Sequence, residues 1–136
     1  MGGKPVEFPD AVEVMCRYLR AALAAAGLDV RVGTRVPDPR PALFVRVRRV
    51  GGSRIDRITD RPRYDIECWG PDEEQLADLV KVTRALVFAM PGWRGVAAYD
   101  VADVGGPTPS PDPVSGQDRA AFAVEVSLRG RALSAL

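Results

Sequence analysis

Apolar residues recur early in the chain at Val12, Met15, Leu19, Ala22, Leu23 and Ala26, the three- and four-residue spacing that draws a stripe along one side of a helix. Asp10 can cap the start and Gly27 can release the end, so the pattern predicts a helix over residues 9–26. A second stripe, Leu76, Leu79, Val80, Thr83, Leu86, Val87 and Met90, follows Gly70, Pro71 and the acidic group Asp72, Glu73 and Glu74. Proline suits a first helical turn and carboxylates favour the positive end of the helix dipole, while Pro91 and Gly92 close the segment.

Elsewhere the period is two. Residues 29–36 alternate Val30, Val32 and Thr34 with Arg31 and Arg35, and residues 43–50 alternate Leu43, Val45 and Val47 with Arg46 and Arg48. A turn is expected at Gly51 and Gly52. Residues 61–69 place Tyr64, Ile66 and Cys68 on a core side and Arg63, Asp65 and Glu67 outside, and this strand is expected to pair antiparallel with the one before it. The stretch between them either continues the hairpin beyond the sheet or forms a mobile loop; a protruding hairpin near 51–61 is the favoured reading. A strand over 95–104 does not reveal its buried face, because Val96, Ala98, Asp100 and Ala97, Tyr99, Val101 alternate without a clear apolar side. Residues 120–129 do, with Phe122, Val124, Val126 and Leu128 on one face and Glu125, Ser127 and Arg129 on the other.

Two segments read as connections. Prolines 37, 39 and 41 remove backbone donors and hold the chain extended outside the sheet interior. Residues 105–118, with four prolines and three glycines, have the composition of an arm that orders on binding a partner. The ends, MGGKPVE and GRALSAL, read as a flexible lead and a short tail. The whole is expected to be one α/β (α+β) domain over residues 1–136, with one antiparallel or mixed sheet of about five strands packed with two helices.

Composition narrows the chemistry. The chain has 19 Lys and Arg against 18 Asp and Glu, a formal net charge of +1, and no histidine. A serine or cysteine nucleophile therefore lacks its usual base, and there is no nucleophile elbow, phosphate loop or dinucleotide fingerprint. Cys16 and Cys68 are far apart and without a CxxC pair, so they read as small buried hydrophobes. No catalytic residue, cofactor or metal site is expected. Asp65 and Glu67 could share a strand face as paired carboxylates for acid-base or metal chemistry, but a solvated sheet face is the favoured reading. No apolar run approaches the roughly 20 residues that cross a bilayer, and an intracellular chain without a membrane partner is expected.

Charge is concentrated rather than abundant. Arg46, Arg48, Arg49, Arg54, Arg57, Arg61 and Arg63 fall within 18 positions and are offset locally by Asp56 and Asp60. Such a group could bind phosphate, but nucleic-acid surfaces interleave stacking aromatics with the basic groups, and here Phe44, Tyr64 and Trp69 lie at the margins. Arginine forks pairing with carboxylates of a neighbouring copy are the alternative. The candidate contact residues are Arg46, Arg48, Arg49, Arg54, Asp56, Arg57, Asp60 and Arg61 near the hairpin, and Pro107, Pro109, Pro111, Asp112 and Pro113 in the proline-rich segment.

Four phrases, TRVPDPRP at 34–41, FVRVRRVGG at 44–52, TDRPRYDIECWG at 59–70 and GGPTPSPDPVSGQDR at 105–119, occur in an order and spacing that resemble the tail terminator proteins of long-tailed (siphovirus-type) bacteriophages of actinobacteria. The resemblance runs from about Phe8 to Gly130. It implies a non-enzymatic virion subunit forming a homo-oligomer, commonly a hexameric ring, on the head-proximal end of the tail. The implied partners are the tail tube protein and the head-completion (stopper) protein, with DNA passing transiently through the channel, after assembly in the host cytoplasm. Each subunit of such a ring offers one surface to its left neighbour and another to its right. Another connector component, or a nucleic-acid-binding module using residues 46–63, is the alternative.

Overall fold

The computed structural model describes residues 3–93 and 97–133, and in it two helices cover one face of a mixed five-stranded sheet. The elements in chain order are β1 (Val6–Glu7), α1 (Ala11–Ala25), β2 (Arg31–Gly33), β3 (Phe44–Asp56), β4 (Thr59–Trp69), α2 (Glu73–Phe88), β5 (Ala98–Pro109), β6 (Arg119–Arg129) and β7 (Arg131–Ala132). The main sheet runs β2-β3-β4-β6-β5; β2 is parallel to β3 and every other pairing is antiparallel.

Both helices start as their sequences dictate. Asp10 accepts the backbone N–H groups of Val12 and Glu13 at 3.0 and 3.2 Å, and Asp72 accepts that of Gln75 at 2.8 Å. Their apolar stripes meet Val45 and Val47 of β3, Tyr64, Ile66 and Cys68 of β4, and Phe122, Val124, Val126 and Leu128 of β6. Those four β6 side chains are at most 2% exposed, and such burial contributes about 1.5–3 kcal/mol per side chain. The Tyr64 hydroxyl donates to the Ala11 carbonyl at 2.6 Å, tying the start of α1 to the sheet, and Tyr18 donates to the Leu86 carbonyl, joining the helices. Cys16 and Cys68 are both buried, and burial pushes the Cys68 thiol up to about 12.

Several expected boundaries move. Gly51 and Gly52 do not form a turn: β3 continues through them, with a register shift between Arg49 and Gly51, to a tip at Arg57 and Ile58. A bulge explains the pair, since Gly51 and Gly52 have φ of +143° and +85°, and bulges commonly use glycine. The strand expected over 29–36 shrinks to Arg31–Gly33, because beyond Gly33 the chain enters the proline connection, which stays outside the sheet as expected. The segment 105–118 is not an unattached arm. Residues 105–109 complete β5 as an edge strand, where proline is tolerated, and residues 110–118 are bonded to the body. The lead and tail pair with each other, Val6 opposite Ala132 and Glu7 opposite Arg131, so neither is a loose end over those residues. Gly95 and Val96, expected to begin a strand, lie outside the described residues, as do residues 134–136. Among the described residues, no helix is long and apolar enough to cross a membrane.

Candidate assembly surfaces

Because successive strand residues alternate faces, burying Val45, Val47, Ile66 and Val124 beneath the helices sends their neighbours to the uncovered face. Register then decides what meets there. Arg46 lies opposite Glu67, Arg48 opposite Asp65, and Arg63 opposite Glu125. The Arg46–Glu67 contact is 2.7 Å, Arg119 reaches Glu67 at 3.4 Å, and Arg48 reaches Asp65 and Glu67 at 3.9 and 4.0 Å. Arg61 and Arg63 both bond Glu125, at 2.9 and 2.8 Å, and Arg61 reaches Asp100 at 3.5 Å. The small residues Ala121 and Ala123, opposite Glu67 and Asp65, leave room for these long side chains.

One end of this face is apolar beneath its charges. Phe44 and Trp69 are paired across β3 and β4 with ring centroids 5.4 Å apart, and the guanidinium carbons of Arg46 and Arg119 each sit 5.4 Å from the Trp69 ring centre. Burial, followed by the charge of Glu67, raises the Asp65 carboxyl above its ordinary value, against the lowering effect of Arg48, Arg46 and Arg119. Asp65 and Glu67 thus share a face as their spacing predicts, and both carboxylates lie within ion-pairing distance of arginines. Among the described residues, no group of three His, Cys, Asp or Glu side chains could hold a metal ion.

The hairpin formed by the outer halves of β3 and β4 is a different surface. Val50, Ile55 and Ile58 are 44%, 57% and 43% exposed on it. Arg49 pairs with Asp60 at 3.2 Å, and the Asp56 carboxylate accepts the Ile58 N–H at 2.9 Å to shape the tip. Arg54 and Arg57 point to the N-terminal segment: Arg57 donates to the Lys4 carbonyl at 2.8 Å, and Arg54 lies 4.7 Å from the Phe8 ring centre. Among the described residues neither arginine has a carboxylate partner.

A third surface lies at the other end of the strands, between the outer side of α2 and edge strand β5. This groove of about 780 Å³ is lined by apolar Leu76, Ala77, Val80, Phe88, Pro107, Pro109 and Pro111, by the carboxylates Glu73 and Asp118, and by the cations Lys81, Arg84 and Arg119. Asp112, by contrast, is buried. Its carboxylate accepts from Arg40 at 2.5 Å, Ser115 at 2.8 Å and the Val114 N–H at 3.1 Å, bonds that hold the carboxyl well below the usual range. Asp112 therefore fastens residues 110–118 to the proline connection and is not presented to a partner, while Pro113 remains exposed.

Apart from Asp112 and Pro113, the candidate residues divide among three places. Arg46, Arg48 and Arg61 belong to the paired uncovered face; Arg49, Arg54, Asp56, Arg57 and Asp60 belong to the hairpin; Pro107, Pro109 and Pro111 belong to the groove. Sequence reasoning missed the pairing of Arg61 and Arg63 with Glu125 and the α2 wall of the groove. Glu125 stood on the correct outer face in the alternation, but only the β4–β6 register brings it to the arginines. No known protein family matches the chain, and no curated protein resembles it significantly.

Proposed function

We propose that this chain is a structural subunit that assembles with copies of itself into a closed ring, serving as a tail terminator of a long-tailed bacteriophage. In that role it caps the head-proximal end of the tail tube, stops tube growth and presents a surface to the head-completion protein. The observation that carries the reading is the placement of two unlike exposed apolar surfaces, the hairpin and the α2–β5 groove, at opposite ends of one sheet. The 11 residues of β4 span the distance between those ends, about 35 Å. Unlike surfaces on one subunit are the requirement for heterologous association, which closes into a ring when the rotation between copies permits. The four sequence phrases supply the family to which that geometry is assigned.

The test is the mass in solution by light scattering behind size exclusion, over a range of protein and salt concentrations, with and without tail tubes. Six copies of the 14.7 kDa chain would give a discrete species near about 88 kDa. Monomer at every concentration together with no binding to tube ends would overturn the reading. Growth into long filaments would move the assignment to a tube subunit.

A further inference from the structure

We propose that residues 3–8 are a releasable strap: closed, they hold the outer hairpin in one orientation, and they open without unfolding the sheet, leaving the hairpin loose. This goes beyond the ring reading and does not rest on it.

The hairpin needs such a brace. Strand β2 accompanies β3 only from Phe44 to Arg46, and beyond Val47 no β3 side chain is buried, so the outer half of β3 is held along one edge by β4. Two strands without a covered face are marginally stable in water. The strap supplies the missing support. Tyr64 anchors its inner end by donating to the Ala11 carbonyl, and from there the segment runs out to the tip, where its own carbonyls meet the hairpin's arginines. Arg57 donates to the Lys4 carbonyl at 2.8 Å, Arg54 donates to the Val6 carbonyl at 3.5 Å, and the Arg54 guanidinium stands over the Phe8 ring. The segment after β6 closes the arrangement: the Leu133 N–H donates to the Pro5 carbonyl and the Gly130 N–H to the Ile58 carbonyl, both at 2.8 Å, so one short stretch touches strap and tip together.

These contacts are few enough to open as a unit. Strands β1 and β7 pair over two residues each, the Glu7–Arg131 ion pair is exposed to solvent, and none of residues 3–8 belongs to the buried core. Exposed ion pairs contribute little, and segments with few buried contacts open at a fraction of the global cost. The sheet does not share this weakness, because β4 is paired on both sides along its length.

A wedge and a lock test the strap. A Cβ on Gly130 would stand 2.8 Å from the Phe8 ring and 3.0 Å from the Glu7 carbonyl oxygen, and closer still to Val6, so Gly130→Val pushes the strap away. The lock uses the opposite pair. Because Leu133 bonds Pro5, the neighbouring Val6–Ala132 pair is the close kind without hydrogen bonds, with Cα atoms about 4.5 Å apart, within the span of a disulfide. Val6→Cys with Ala132→Cys therefore fastens the strap reversibly, the native Cys16 and Cys68 being buried. Hydrogen exchange at the protected amides of residues 53–58 reads the hairpin, and the Ile66 and Val124 amides read the sheet. Gly130→Val is expected to speed hairpin exchange at least about tenfold with the sheet amides unchanged, and oxidation of the double cysteine variant to slow it by a similar factor relative to the reduced form. Light scattering on each sample keeps the comparison within one oligomeric state. Hairpin exchange that is the same with the strap locked and unlocked would overturn the proposal, whether or not Gly130→Val folds. Hairpin amides of the unaltered chain as protected as those of Ile66 and Val124 would overturn it equally, since the strap would then open only with the whole fold.

Discussion

Asp65 sits on the uncovered face beside Glu67, with Arg48 no closer than 3.9 Å. Its carboxyl is raised by burial first and by Glu67 second. A folded-state pKa above the unfolded one means that the ionised group opposes folding. That penalty is complete above the folded pKa, shrinks as the pH falls, and vanishes below the unfolded value of about 4. Asp65→Asn is therefore expected to raise the Tm at pH 7, with the advantage over wild type fading as melts are repeated towards pH 3. A Tm advantage that did not change with pH would mean that the carboxylate charge is not its source. Asp112 has the opposite sign. Its depressed pKa contributes stability that is present above the unfolded value and lost as the pH falls towards the folded one. Asp112→Ala is expected to speed hydrogen exchange at the Val114 amide by roughly an order of magnitude at neutral pH, since that amide donates to the Asp112 carboxylate. The residues buried beneath the helices, such as Ile66 and Val124, were legible in the sequence because one face of each strand is fully covered. Phe44 and Trp69 were not, since they are buried on the face that alternation assigns to solvent.

The hairpin shows what periodicity loses at the scale of an element. From Arg48 to Arg57 every residue is exposed, so no buried face imposes a two-residue rhythm and the glycine pair was the only local signal. That signal fits a turn and a bulge alike. Pairing of Ser53 with Arg61 and Arg54 with Asp60 beyond the glycines decides for the bulge. The two glycines are not equivalent. A Cβ on Gly52 would stand 2.1 Å from the Arg61 carbonyl oxygen, whereas one on Gly51 meets nothing within 4 Å. Both substitutions strain a positive φ, at about 1–3 kcal/mol, but only Gly52→Ala must also displace the opposite backbone. Urea denaturation is expected to show Gly52→Ala as the more destabilising of the two, with loss of hairpin amide protection. Equal midpoints would show that the hairpin shifts at no cost. The proline-rich segment was misread for a related reason: prolines argue against a central strand, yet β5 is an edge, and edge position depends on strand order, which local sequence does not carry.

Two helices on a sheet of about five strands could be read from periodicity, because each element buries one regular stripe. The order β2-β3-β4-β6-β5 could not, since it rests on pairings between distant segments. The same long-range pairings change the meaning of the arginine concentration. Read along the chain, residues 46–63 look like a basic patch; folded, Arg46, Arg48, Arg61 and Arg63 stand against Asp65, Glu67, Asp100 and Glu125 on one surface. To engage phosphates these guanidinium groups must leave carboxylates already within ion-pairing distance, and the molecule's net charge of +1 adds little attraction at long range. The chain is accordingly expected not to retard a labelled DNA duplex at low salt, at protein concentrations up to about 10⁻⁴ M, the weak limit of ordinary non-specific binding. Glu67→Gln and Glu125→Gln together release the face from its carboxylates and are expected to create binding that falls steeply with added salt. Salt-sensitive binding by the unaltered protein would show that the cross-strand pairs open readily, and would favour the nucleic-acid alternative over assembly. If the pairs hold, the face is a neutralised surface with little attraction for DNA, as the proposed ring would require of any surface that lines its channel.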